Sequence, residues 1–262
     1  MGRYRSCVFF IHNGMEIAPR LRIRVAYGVL DVVLHQIKDR LSRIRRPTLR
    51  TDAGLERTAL EGALLARREL DPRVVDAVLR VPREEFVMSS DRRCAQDDRA
   101  LSIGFGQTIS QPSLVAHMVS ELKIPAQAGR VLDIGCGSGY QAAILSLLAE
   151  KVITLERISS LANAARSRLE RLGYHNVTVI QASDDVLGHP QSGPYDAIIV
   201  GASAPAIPDS LVGQLKTGGR LVIPVGQLKR QRLVTVVKTE ADSEVNYGLD
   251  CVFVPLIGPE AW

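Results

Sequence analysis

Between residues 130 and 225 the chain alternates short, continuously apolar runs with segments of helical period, and that alternation limits the possible folds more than any other feature. The apolar runs are RVLDI (130–134), KVITLE (151–156), NVTVI (176–180), YDAIIV (195–200) and GRLVIPV (219–225). Gln141–Ala149, Ser159–Leu172 and a short Ser210–Leu215 stretch read as helices between them. A strand apolar on both faces needs a layer on each side, and helices placed between parallel strands supply both layers. The expectation is therefore an α/β fold, with a mostly parallel sheet and helices on both faces. RLVTVVK (232–238) and CVFVPLI (251–257) have no helix between them and add a β-rich C-terminal end. Upstream, helical stretches at Leu60–Arg68 and Arg73–Leu79 lead into VPREEFV (81–87).

In such a sheet, ligands bind outside the carboxyl ends of the strands. Two glycine-bearing segments are expected there. VLDIGCGSGY (131–140) follows one strand and opens one helix, as a nucleotide-binding turn does. Its spacing is GxGxG, with Tyr140 after Gly139, which disfavours a dinucleotide and suits a mononucleoside with a bulky arm. Glu156 ends the next strand roughly 20 residues on, where an acid can bond a ribose diol. Asp184, past the third strand, reads either as an acceptor for an adenine amino group or as a turn aspartate. The second segment is GFGQTISQP (104–112). Its glycines allow a bend and close approach to a ligand. Pro112 opens a helix whose stripe is Leu114, Val115, Met118, Val119 and Leu122. The Ser110 hydroxyl, beside free N–H groups and the positive end of that helix, is placed to hold an anion; alone, it would read as a helix cap.

Charge divides the chain. Residues 1–50 hold eleven basic and three acidic residues, a net +8, and the remaining 22 basic and 25 acidic residues leave −3. The whole chain's +5 therefore belongs to an N-terminal extension (1–50), and the body (51–262) has no basic footprint for nucleic acid. Within the extension Val25, Val29, Val33, Ile37, Leu41 and Ile44 recur at helical spacing among basic residues. That pattern fits a helix packed on the body, a loose tail, a start actually at Met15, or contact with an anionic membrane surface. RRPTLRTD (45–52) reads as a linker. Cys7, Cys94, Cys136 and Cys251 show no metal or disulfide spacing, which suits a reducing, cytoplasmic location. No apolar run reaches the ~20 residues of a membrane span. His12, His35, His117, His175 and His189 sit in unrelated contexts and read as surface or packing residues, so no metal site and no Cys/His or Ser/His/Asp nucleophile is expected.

The combination resembles a class I S-adenosylmethionine-dependent methyltransferase and, more narrowly, the protein-L-isoaspartate O-methyltransferase family. The resemblance runs from about residue 65 to Gly258. It rests on VPREEFV, GFGQTISQP, LDIGCGSGYQAA, ERLGYHNV (170–177), PYDAIIV, APAIP (204–208), GGRLVIPVG (218–226) and FVPLIG, in that order. It implies a Rossmann-like class I methyltransferase fold, and methyl transfer from S-adenosylmethionine to the α-carboxylate of L-isoaspartyl residues in damaged proteins. The resulting ester collapses to a succinimide that reopens partly to aspartate. By motif position, Ser110 would hold the substrate carboxylate. Thr108, Ile109, Asp133, Gly135, Gly137, Ser138, Gly139, Glu156 and Asp184 would serve the cofactor, and FVPLIG would cradle the peptide. A monomer acting on isoaspartyl proteins is expected.

The elementary chemistry agrees. A carboxylate with a pKa near 4 is ionised at neutral pH and needs no general base to attack a sulfonium methyl. The protein's task is alignment and exclusion of water. Three positions depart from the family pattern: Gln96 stands where a tyrosine is usual, Ser102 replaces a proline, and Ser183-Asp184-Asp185 replaces a GDG turn. These departures keep two alternatives in view, a cofactor-binding adaptor and a methyltransferase for another carboxylate.

Overall fold

The computed structural model describes residues 59–126 and 129–262, so the extension, its linker and everything expected of them lie outside the described residues. Residues 59–65 are helical, stopping short of Arg68. Helix α1 (Pro72–Arg80) begins at Asp71, whose carboxylate accepts from the Arg73 N–H while Pro72 fills the first turn. The Asp71 N–H donates to the Ser120 hydroxyl (3.0 Å), which ties α1 to α2 (Pro112–Glu121). Between these helices β1 (Leu101–Gly104) and β2 (Gln107–Ile109) form an antiparallel hairpin.

The remaining chain winds as β3 (Arg130–Ile134), α3 (Tyr140–Ser146), β4 (Lys151–Glu156), α4 (Ser159–Arg171), β5 (Val177–Gln181), β6 (Tyr195–Val200), α5 (Asp209–Gly213), β7 (Leu215–Gln227), β8 (Arg230–Lys238) and β9 (Ser243–Cys251). They build one seven-stranded sheet in the order β5-β4-β3-β6-β7-β8-β9. It is parallel from β5 to β7 and antiparallel through β8 and β9, so the α/β expectation holds. Side chains alternate between the two faces. Val131, Ala197, Ile199 and Val222 enter a core layer with Met118 of α2, Ala143 of α3 and Leu169 of α4. Leu132, Ile134, Ile198, Val200 and Leu221 enter the opposite layer with Leu211 of α5. Chain direction reverses across the sheet at β3, so a crevice opens at the carboxyl ends of β3, β4 and β6.

Five points differ from expectation. Helix α3 ends at Ser146 instead of Ala149, because its last turn tightens and the Asn176 side chain donates to the carbonyls of Ser146 and Ala149. The short helix covers Asp209–Gly213, and Leu215 already pairs with Tyr195. Lys216–Gly219 is a bulged entry into β7, so that strand starts four residues earlier than its apolar core suggests. Strand β9 went unnoticed because eight of its nine residues are polar, glycine or exposed, and as an edge strand it buries neither face. CVFVPLI is not a strand. Only Cys251 belongs to β9, and a single bridge between Ser203 and Pro255 ties the rest to the loop after β6. Pro255 cannot donate to a ladder.

Candidate active site

The turn after β3 is shaped by backbone hydrogen bonds. The N–H groups of Gly135 and Cys136 both donate to the Leu155 carbonyl at the end of β4 (2.9 Å each), folding the chain over the neighbouring strand. The next N–H, of Gly137, donates to Glu156 Oε2 (2.8 Å), and the Ile158 N–H donates to Glu156 Oε1 (2.9 Å). Glu156 is buried, and each of its oxygens keeps acceptor capacity beyond these bonds. Gly137 has φ +53, and a Cβ there would stand 3.1 Å from Ile103 Cδ1. The absent side chain thus lets the β1 strand lie directly against the glycine turn. Beneath it, Asp133 is completely buried and accepts from Gln141 Nε2 and Thr154 Oγ1 (2.7 Å each). Burial raises its pKa to about 6, against the two hydrogen bonds that lower it.

A cavity of about 250 Å³ opens here. Gly135, Gly137 and Glu156 form one side of it, and Leu155, Ile158, Val186 and Leu187 supply apolar walls. Ile103, Gln107 and Thr108 of the hairpin close another side. A recessed carboxylate among apolar walls and a bare glycine floor fits a nucleoside: hydroxyls to the acid, a flat base against the hydrocarbon.

The hairpin corrects one expectation about GFGQTISQP. Gly104, Phe105 and Gly106 all have positive φ (85°, 55° and 70°), and nothing stands within 4 Å of the glycine Cβ positions. Phe105 and Gly106 make a two-residue primed turn, so the positive φ values serve the hairpin, and neither glycine lines a cavity. Phe105 is 62% exposed at its tip, in a conformation that costs a bulky residue energy. A second correction concerns α2. Its N-cap is Gln111, which makes no side-chain capping bond, so Ser110 is not the cap. The Ser113 N–H donates to Asp98 Oδ1 (2.8 Å), and those of Leu114 and Val115 to the Gln111 carbonyl. The first-turn N–H groups of the helix are therefore already taken by the chain's own Asp98 carboxylate and Gln111 carbonyl.

Ser110 lines a second cavity, of about 360 Å³, together with Thr108, Ser113, His117, Arg67 and the segment from Leu249 to Val254. Thr108, Gly201 and Val254 belong to both walls, so the two spaces adjoin and these three residues form the neck between them. Gly201 fits this position because a Cβ would lie 3.2 Å from the Gly135 carbonyl oxygen. The C-terminal segment crosses both spaces, with residues 249–254 on the Ser110 side and Val254–Pro259 on the Glu156 side. Two buried polar residues hold it. Gln231 accepts from the Phe253 N–H (2.7 Å). Ser203 engages Val254 and Leu256 through its backbone and accepts from Trp262 Nε1. Cys251 also lines the Ser110 cavity, where burial and the Asp250 carboxylate push its thiol up to about 11, so it offers no thiolate at neutral pH.

Of the residues singled out from sequence, Thr108, Gly135, Gly137 and Glu156 line the first cavity and Ser110 the second. Ile109, Asp133, Ser138 and Gly139 lie behind the walls: Ile109 is buried, and Gly139 caps α3. Asp184 is exposed and outside both walls. Its neighbour Ser183 reaches the first cavity, and the Ser183 hydroxyl accepts from the Asp185 N–H in a local turn. His117, expected on the surface or in packing, lines the Ser110 cavity. Sequence reading missed Arg83, Asp98, Ser203 and Gln231. The bonds by which they serve the site reach residues 12 to 59 positions away, so no local spacing marks them. Among the described residues no group of three or more His, Cys, Asp or Glu is placed to hold a metal, and no helix is long and apolar enough to cross a membrane.

The family described as protein-L-isoaspartate(D-aspartate) O-methyltransferase (PCMT) matches residues 59–261, the whole body of the chain. The chain belongs to this family. A protein-L-isoaspartate O-methyltransferase of Protochlamydia amoebophila is 49% identical over 205 residues, covering 78% of this chain and 97% of that protein. Protein-L-isoaspartate O-methyltransferase 1 of Geotalea uraniireducens is 48% identical over 201 residues, covering 76% and 91%. Among solved structures, a protein-L-isoaspartate O-methyltransferase superposes with TM-score 0.67 at 29% identity, over 78% of this chain and 67% of that one. A structure from Plasmodium falciparum described as a family member in complex with S-adenosyl-L-homocysteine superposes with TM-score 0.66 at 27% identity, over 75% and 95%. Membership in the isoaspartate methyltransferase family agrees with the two motifs that meet at the Thr108 neck.

Proposed function

We propose that this chain methylates the α-carboxylate of L-isoaspartyl residues in proteins, using S-adenosylmethionine, with the Glu156 cavity as the donor site and the Ser110 cavity as the acceptor site. The observation that carries this reading is the shared wall of Thr108, Gly201 and Val254. Two separately lined spaces that meet at one neck suit transfer of a small group between two ligands, neither of which needs to enter the other's site.

On the donor side, Glu156 would accept from the ribose hydroxyls with the capacity left after Gly137 and Ile158, and the glycine turn would receive the amino-acid arm. Leu155, Ile158, Val186 and Leu187 would enclose the base, with Ser183 at its edge. S-adenosylmethionine supplies an electrophilic methyl on a sulfonium. On the acceptor side the Ser110 hydroxyl would donate to one carboxylate oxygen and leave the other to face the neck. No general base is required, because the acceptor is ionised at neutral pH. Catalysis then rests on holding the acceptor in line and keeping water out. The C-terminal segment, pinned by Ser203 and Gln231, does the second of these while giving the peptide an extended surface. The Arg67 guanidinium on the Ser110 wall suits an anionic acceptor, and Cys251 stays a protonated thiol.

Labelled S-adenosylmethionine with an isoaspartyl peptide and its aspartyl twin tests this reading. Base-labile label on the isoaspartyl peptide alone is expected. Cofactor binding without turnover would leave an adaptor, and equal labelling of both peptides would leave a methyltransferase for carboxylates in general.

A further inference from the structure

We infer that Arg83, deep beneath the hairpin, is the positioning residue that holds Ser110 in register with the acceptor cavity. The inference rests on the acceptor role of Ser110 proposed above. Arg83 opens a single helical turn (Arg83–Glu85) and is 1% exposed. Its guanidinium carries five N–H donors in a rigid plane, and four of them end on four backbone carbonyls. Nη1 donates to Ala95 (2.6 Å) and Asp97 (3.3 Å), and Nη2 to Arg99 (2.9 Å) and Ser110 (3.0 Å). The fifth donor, on Nε, has no partner among the described residues. The plane also lies 5.8 Å from the Tyr140 ring, at the start of the helix that follows the glycine turn.

Among the described residues no carboxylate pairs directly with this buried cation, and Asp97 and Asp98 act on it only from a distance, which is an expensive arrangement if the purpose were stability alone. Its geometry accounts for it. Residues 95–99 enter the hairpin and Ser110 leaves it, and one fork grips both. The gripped loop also carries Asp98, which caps α2 at Ser113. Ser110 is thus held by its carbonyl from behind while its side chain lines the acceptor cavity in front. A lysine keeps the charge but cannot reproduce a planar four-carbonyl grip.

The test uses the full chain with Arg83→Lys and, as a second variant retaining two donors without charge, Arg83→Gln. Each is made alone and together with Ser110→Ala. S-adenosylhomocysteine affinity by calorimetry, isoaspartyl-peptide kinetics and amide exchange at Ser113–Val115 are measured. Expected results are cofactor affinity within about threefold of the parent, kcat/KM for the peptide lower by at least about tenfold, and faster exchange at α2's first turn. The double variants should be no worse than Ser110→Ala alone, because Arg83 acts through Ser110. Fully additive losses, equal damage to cofactor affinity and peptide kinetics, or unchanged peptide kinetics would each overturn the inference. Failure of both variants to fold would also overturn it, by making the grip a general support. If the parent fails to methylate the peptide, the functional reading falls and the exchange result decides the grip by itself: faster exchange supports it, unchanged exchange refutes it.

Discussion

The two cavities are built on different principles. The frame of the proposed donor side is consecutive chain: one strand, one glycine turn and the acid that ends the next strand, all within residues 131–158 and held by backbone N–H groups donating to the Leu155 carbonyl and the Glu156 carboxylate, with the hairpin, residues 182–188 and Val254–Pro259 closing over it. The proposed acceptor side is assembled from segments far apart in sequence: residue 67, Ala100, the hairpin exit, the start of α2 and residues 249–254. Long-range side-chain bonds from Arg83, Asp98 and Gln231 hold it together. A site made of local chain is fixed by its own strand–turn–helix geometry, whereas a site made of distant segments depends on buried polar side chains that each serve several partners. Damage should follow the same division.

The largest effect is expected from Glu156→Ala. It removes an acceptor shared by two backbone N–H groups and leaves both unpaired in a buried turn, a cost of about 1–3 kcal/mol for each group. Cofactor affinity should fall by roughly 100-fold or more, with little change in peptide KM once cofactor saturates. Equal losses on both sides, in a calorimetric and kinetic comparison, would erase the distinction between the cavities.

Next in size is a pH effect confined to the donor frame. Asp133 has a folded-state pKa of about 6, above the ordinary carboxylate value, so the folded state binds its proton more tightly than the unfolded chain does. Its contribution favours folding below about pH 4 and is lost as pH rises through 6. Between those limits the parent should lose on the order of 3 kcal/mol relative to Asp133→Asn. Denaturant unfolding of the two proteins from pH 4 to 7 measures this, and parallel profiles would contradict it.

Ser110→Ala should act in the opposite sense to Glu156→Ala. Loss of one hydrogen bond to a charged group, about 1.5–3 kcal/mol, predicts roughly 10- to 100-fold lower kcat/KM for isoaspartyl peptide with cofactor affinity unchanged. The smallest effect belongs to Phe105→Asn. The tip residue lies outside both walls and its positive φ suits asparagine far better. A gain of about 1 kcal/mol in stability is expected, with both ligand affinities unaltered. A raised peptide KM would make the tip part of the acceptor side.

The same division explains what was legible in the sequence. Strands β3, β4 and β6 are mostly apolar runs, and the Gly135–Gly139 turn and Glu156 sit at the offsets that a strand–turn–helix unit imposes, so the frame of the first cavity is legible in the sequence. The hairpin motif is visible, but nothing local shows that its glycines serve a primed turn or that Asp98 fills the first turn of α2. A carboxylate 15 residues upstream leaves no periodic trace. Likewise, β9 carries no apolar pattern because it buries nothing. CVFVPLI looks like a strand because it is apolar, although its hydrocarbon faces two cavities and not a neighbouring ladder.

The account stands most directly on a crystal of the chain with S-adenosylhomocysteine and an isoaspartyl peptide bound together. The predicted result places the nucleoside beside Glu156, the sulfur at the Thr108–Gly201–Val254 neck, and the peptide's α-carboxylate within hydrogen-bond reach of the Ser110 hydroxyl on the other side. A carboxylate bound away from Ser110, or a sulfur turned away from that neck, would contradict it.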